Sequence, residues 1–421
     1  MPNSLVRLAL PLAVTASVGA LILGPTTPGA PVLSSEHVVA PSTLSAPSAR
    51  ATTGAGHSAT KPAVTGATAG PAGTSGASGP SAKPASSNHT YSGSPQSVTI
   101  FAFSGHSNPT TVVASLPAVV GGVSWIFGWS QIETAPGVYN WSAVDAAIAA
   151  SSGSGRKTML RIDGGATSPA WVPDQLTFRF KPMGPQPEQT VTMPKTWSTT
   201  YLADFTAFIR AYGARYNGDP RVTRVEMAGG GYQGEMALPQ WSGWIGAGYT
   251  DTLMTSAWER LISTYKAAFP SKQLGMDYGE PLQTYYHSHI DPAVLAYARV
   301  VSNVDFQQNG LKSTTSQNWS TFKTLQTLSL TTRIGWQLWG GGNSSSYLMS
   351  AFRVAIASHA SYVEVYLKDC TNPANASALA YLVSNGHELR IASVAHDLKQ
   401  EPAVLTPREP PALRVWRPTG R

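Results

Sequence analysis

Seven carboxylates stand at, or just after, apolar runs of the chain: Asp163, Glu235, Asp277, Glu280, Asp305, Glu364 and Asp369. Two carboxyl groups flanking a glycosidic bond can hydrolyse it, one protonating the leaving oxygen while the other attacks or activates water. Glu235 follows Gly229-Gly230-Gly231-Tyr232-Gln233-Gly234, where small residues would let a ligand approach the backbone closely. Set among Gly, Tyr and Met, its carboxyl is expected to be desolvated and to hold its proton, as a general acid must. The plainer reading is a surface Glu on a glycine-rich loop. In Tyr362-Val363-Glu364-Val365-Tyr366 the period of two puts both tyrosines and Glu364 on one face of a strand. Two roles stand open for Glu364: a second carboxylate, or the partner of Arg161 or Arg333 in a buried ion pair. Glu280 is the next candidate, and Asp163 and Asp277 read as ligands of substrate hydroxyls.

The elements that must position these groups alternate regularly from residue 97. Strand-like runs are expected over 98–103, 122–127, 158–162, 224–228, 273–276, 300–306, 333–338 and 362–366. Helical stretches lie between them at 142–150, 199–216, 252–269, 346–358 and 376–384. Eight such repeats predict one α/β domain over 97–390, a (β/α)₈ TIM barrel with its functional loops at the C-terminal ends of the strands. Those loops are rich in Gly, Trp and Tyr. Trp129, Trp171, Tyr232, Trp336 and Trp339 are expected to stack on the apolar faces of sugar rings, with Gln337 beside them. About half of the loop tryptophans are expected to serve packing instead.

The formal charge of +7 resides in the ends of the chain. Residues 1–96 carry four basic and one acidic residue, residues 390–421 six and three, and the segment between them 19 and 18. A near-neutral middle without a Lys/Arg run argues against nucleic acid as a partner. Cys370 alone excludes an internal disulfide and a cysteine-rich metal centre, and it reads as a small buried hydrophobe. His287 and His289 share a strand-like spacing but lack a third ligand, and neither triglycine carries the Lys-Ser/Thr of a phosphate loop. No metal or cofactor is therefore expected. Arg7 precedes an apolar run over 8–24, so residues 1–30 read as a signal peptide or as an uncleaved membrane anchor. Residues 31–96, almost all Ala, Gly, Ser, Thr and Pro, read as a disordered linker, and 391–421 as a Pro/Arg-rich tail. Together these predict a secreted or cell-surface protein.

The stretch from Ser124-Trp125 through Trp129-Ser130-Gln131-Ile132-Glu133, Pro136-Gly137-Val138-Tyr139-Asn140-Trp141 and Asp145 resembles the second-strand segment of clan A glycoside hydrolases, notably the family 42 β-galactosidase-like group. Ser168-Pro169-Ala170-Trp171 and Arg215-Tyr216-Asn217-Gly218-Asp219-Pro220-Arg221-Val222 resemble further segments of the same group. The resemblance implies an acid/base at Glu235 and a nucleophilic Glu ending the seventh strand. The sequence departs from this pattern with Gly234 in place of an Asn and Gln337 where that nucleophile belongs. An amide cannot form a glycosyl ester, so Glu364 becomes the natural second carboxylate. Glu133 and Asp145 read as loop-bracing or helix-packing residues.

The expectation is an exported glycoside hydrolase acting on an oligo- or polysaccharide, with Glu235 and Glu364 catalytic. The alternative is a non-catalytic glycan-binding surface protein on a degraded glycosidase barrel. Carboxyl separation distinguishes mechanisms, about 5 Å for retention and roughly 6.5–9.5 Å for inversion.

Overall fold

The computed structural model describes residues 96–388, apart from 106, 182–186, 233–237, 240, 279–289, 302 and the side chain of Asp291. Glu235, Glu280, His287 and His289 lie outside the described residues, as do the segments expected to be a leader, a linker (to residue 95) and a tail.

Eight parallel strands close into a barrel: β1 (Thr99–Ser104), β2 (Gly122–Gly128), β3 (Lys157–Asp163), β4 (Val222–Met227), β5 (Gln273–Asp277), β6 (Val304–Leu311), β7 (Ile334–Leu338) and β8 (Tyr362–Tyr366). Each strand pairs with its neighbours in sequence, and β8 closes on β1 from Thr99↔Tyr362 to Phe103↔Tyr366. A helix follows each strand: α1 (Pro109–Ser115), α2 (Ser142–Gly153), α3 (Thr199–Tyr216), α4 (Asp251–Ala268), α5 (Asp291–Ala298), α6 (Ser320–Leu328), α7 (Ser345–Ala357) and α8 (Ala376–Asn385). The helices start where their caps dictate. Ser198, Thr250 and Ser344 each accept a hydrogen bond from a backbone N–H three residues on. Along α3, Tyr201, Phe205, Phe208 and Tyr212 are buried at helical spacing.

The sixth strand begins later than its apolar signal. Val300 is 59% exposed, and Asn303 takes a left-handed φ of 63° before the ladder starts at Val304. The Val300-Val301 pair thus lies in the turn after α5, and the strand extends instead through Gln307 and Asn309.

Two antiparallel ribbons decorate the upper face. Glu133–Ala135 pairs with Val138–Tyr139 across Gly137, whose φ of 73° suits glycine. Between β3 and α3, Gln175–Phe180 pairs with Gln189–Pro194. Alternation in this second ribbon buries Phe178, Phe180, Val191 and Met193 and exposes Thr177, Arg179, Thr190 and Thr192. Phe178 stacks on Trp241 at 4.9 Å and meets Trp244 edge-on.

Between barrel and helices the strands' outward side chains form the main core. Trp125 donates from Nε1 to Ser151 Oγ on α2 at 2.9 Å, and Trp336 donates to Ser358 Oγ beyond α7 at 2.8 Å. Trp336 is wholly buried beside Phe322 of α6. This corrects its expected place at the substrate: on β7 the residues on either side of it face the lumen, so Trp336 must face the helices. Replacing Trp336 by Ala is expected to cost about 3–5 kcal/mol in urea unfolding, a large cavity in a closed core. The same change at half-buried Trp339 is expected to cost far less.

Candidate functional site

The tilt of an eight-stranded barrel stacks inward side chains in layers drawn from alternate strands, usually bulky branched apolar residues. Tracing the strand register around this barrel gives a different filling. The lower even-strand layer holds Gly122, Arg224, Asp305 and Tyr362. Above it lie Phe101, Met159, Gly275 and Gly335 from the odd strands. Next comes the even-strand layer Ser124, Glu226, Gln307 and Glu364, and over it Phe103, Arg161, Asp277 and Gln337.

Contacts across the lumen agree with this stacking. Arg224 makes a close ion pair with Asp305, and its guanidinium lies 4.0 Å over the Tyr362 ring. Gln307 donates from Nε2 to Glu364 Oε2 at 2.7 Å and to Asn309 Oδ1 at 2.8 Å. Two glycines make room for the polar layers. A Cβ at Gly275 would fall 2.0 Å from both carboxylate oxygens of Glu226, and one at Gly335 would fall 2.1 Å from the Tyr362 ring.

Burial dominates the electrostatics. Desolvation, reinforced by the charges of Glu364 and Asp305, pushes the Glu226 carboxyl up to about 8, against the pull of Arg224 and Arg161. Asp305 is also raised, because its desolvation outweighs the attraction of Arg224. Exposure grows toward the C-terminal rim. Glu364, Gln307, Gln337 and Glu226 are buried, whereas Asp277, Asn309, Tyr366 and Trp339 are half-buried. The lumen is therefore a polar shaft with carboxyl and amide groups at its floor.

Of the expected site residues, the structure brings Glu364, Gln337, Asp163 and Asp277 to this shaft. Gln337 and Glu364 are register partners on β7 and β8. Asp163, at the end of β3, lies 3.0 Å from Arg161 Nε, while Arg333 Nε lies 3.2 Å from Glu388 Oε2. Trp339 stands on the rim with the Lys312 ammonium 4.3 Å above its ring. Trp129 is buried and donates to Glu133 Oε2 at 2.6 Å, and Glu133 Oε1 accepts from Gly137 N at 2.7 Å. Trp129 thus supports the loop under half-buried Trp171, which meets it edge-on at 5.6 Å, rather than lying open to a ligand. Tyr232 is buried edge-on against Phe180 of the second ribbon.

The triglycine before Glu235 also has a packing cause. A Cβ on Gly229 would strike the Phe205 ring at 1.9 Å, and one on Gly230 the Trp258 indole at 2.3 Å. Close helix–loop contact, not ligand approach, requires these two glycines. Asp369 is buried and acts as a brace: Oδ1 accepts from Gly342 N at 2.8 Å and Asn343 N at 2.7 Å, and Oδ2 accepts from Asn343 Nδ2 at 2.8 Å. Asp145 anchors α2 to Arg215 and Tyr216 of α3. Among the described residues no group of His, Cys, Asp and Glu is arranged to hold a metal ion, and no helix is long and apolar enough to cross a membrane.

Sequence reasoning missed Arg224, Glu226, Gln307 and Asn309. The first two carry the same period-two signal as Glu364, in Arg224-Val225-Glu226-Met227. The others lay beyond the end assigned to the sixth strand.

No protein-family model and no curated protein matches the chain. Solved structures similar to it include a β-galactosidase from the psychrophilic Marinomonas ef1 (TM-score 0.46, 10% identity, 68% of this chain and 59% of that chain). Two others are the β-galactosidases of Halorubrum lacusprofundi (0.47, 10%, 68% and 58%) and Rahnella sp. R3 (0.45, 12%, 69% and 56%). The chain spans less than two thirds of the length of these three proteins. At such identities the likeness concerns the barrel fold, and the functional reading rests on the site.

Replacing Asp369 by Ala is expected to cost about 1–3 kcal/mol, because it removes the one carboxylate that accepts from Gly342 N, Asn343 N and Asn343 Nδ2. Hydrogen exchange at the Gly342 and Asn343 amides is the check. Both should lose protection, while β7 keeps its own.

Proposed function

We propose that this protein is a glycoside hydrolase, with Glu364 and Glu235 as its carboxyl pair. The observation that carries the reading is the inward Glu364, fixed by Gln307 beneath a rim of Asp163, Asp277, Asn309, Tyr366 and Trp339. Carboxyl and amide groups at the floor suit hydroxyl recognition and acid/base chemistry, and the aromatic rim suits sugar faces. Glu235 follows the end of β4 by eight residues in the sequence. It is proposed as general acid on the sequence argument, with Glu280, three residues after the end of β5, as a further substrate contact. The substrate is an oligo- or polysaccharide, and residues 1–30 direct the protein to the cell surface or beyond it.

A specific observation favours a second reading, a glycan-binding protein without turnover. Gln337 lies in register with Glu364 and carries an amide that cannot serve as a nucleophile.

Hydrolysis of a panel of aryl glycosides and polysaccharides by the purified protein separates the two. In an enzyme, Glu235→Gln and Glu364→Gln are each expected to lower kcat by about 10²–10⁴-fold while glycan binding survives. Binding by all three proteins with no turnover in any of them would establish the second reading. Full activity in Glu364→Gln would remove Glu364 from the mechanism.

A further inference from the structure

The layer Ser124, Glu226, Gln307 and Glu364 is short of hydrogen-bond donors. Its members come from β2, β4, β6 and β8, and all four are buried. Glu226 and Glu364 lie on opposite strands of the closed barrel, so they meet only across the lumen. Arg224 and Tyr362 stand two residues below them on those strands and already touch across that space. The only donors within the layer are the Ser124 hydroxyl and the Gln307 amide. Both Gln307 donors are committed, one to Glu364 and one to Asn309. Two buried acceptors, Glu226 Oε1 and Gln307 Oε1, have no hydrogen-bond partner, and the Ser124 hydroxyl, itself unpartnered, donates to neither. Arg224 does not fill the gap. Its Nη1 is 3.8 Å from Glu226 Oε1, too long for a hydrogen bond, while Nη2 is engaged by Asp305.

Charge shows the same shortage. In the two even-strand layers one guanidinium, Arg224, faces Asp305, Glu226 and Glu364. Arg161, the next cation above, has Asp163 beside it. Like charges confined in a low-dielectric interior disfavour full ionisation, and the cheapest remedy is a proton.

We propose that Glu226 and Glu364 share a single proton at neutral pH, held by Glu226, and that protonated Glu226 is a positioning residue that keeps Glu364 ionised and seated on Gln307. One added hydrogen supplies a donor to the layer and removes one of the surplus negative charges. The void over Gly275 is what admits this carboxyl. The role of Glu364 as the reacting carboxylate rests on the glycosidase reading. The shared proton does not.

Glu226 is faced by Arg224 on its own strand, Arg161 on β3, Asp305 on β6, and Tyr362 and Glu364 on β8, with Tyr212 of α3 behind the sheet. Its raised proton affinity means that the folded state binds a proton the unfolded chain releases at the ordinary carboxylate value. Its contribution to stability is thus full below that value and falls as pH rises toward about 8.

The test is thermal unfolding of the full chain across this range, with infrared difference spectra at neutral pH. The wild type is expected to lose stability with rising pH and to show a protonated-carboxyl band. Glu226→Gln, which keeps a donor but cannot titrate, should abolish both. Glu364→Gln should move the stability loss to lower pH by removing the facing charge. Identical pH dependence in wild type and Glu226→Gln, or no such band in the wild type, overturns the proposal. Should Glu226→Gln fail to fold, the wild-type spectrum and Glu364→Gln still decide. None of these readouts requires turnover, so a protein that hydrolyses no glycoside can still confirm or refute the shared proton.

Discussion

The closure of eight tilted strands fixes which side chains share the lumen, and everything distinctive about this protein follows from what the sequence places there. A barrel interior has room for about four side chains per layer. Where two of the four are Gly275 and Gly335, the layers above and below reach into the space they leave. Arg224 and Glu226, two layers apart, thereby approach to 3.8 Å, and Tyr362 rises beneath Glu364. Polar groups that would otherwise be separated by an apolar plug are stacked in one column.

Such a column is a poor source of stability, since buried ion pairs seldom recover their desolvation cost. The compensation lies outside the barrel. Trp125, Trp258 and Trp336 are buried between strands and helices, and the α3 stripe of Tyr201, Phe205, Phe208 and Tyr212 continues into Trp141 and Phe269. The shell is aromatic and apolar where the lumen is charged, so the two tasks of holding the fold and housing polar groups fall to opposite faces of the same strands.

That division explains what the sequence revealed. Strand alternation made Tyr362, Glu364 and Tyr366 legible as an inward face, and the helix starting at Thr199 and ending at Tyr216 was read to the residue. The same alternation in Arg224-Val225-Glu226 was equally available but lay before the glycine-rich loop that drew notice to Glu235. The aromatic residues misled for a physical reason. Trp129 and Trp336 look identical in sequence to rim residues such as Trp339, and only the parity of the strand or the turn of the loop decides whether an indole faces the rim or the core. The second ribbon was invisible because its two strands pair across a long connection, a non-local choice that no short window contains.

The two ends of the described chain are stitched together: Ser97 bridges His387, Val98 donates to the Gly386 carbonyl, and the Glu388 amide donates to that of Gln96. This seam lies where β1 enters, on the side of the barrel opposite the shaft. The open end of the shaft is thereby left clear of both ends, as the mouth of a cup is clear of its base.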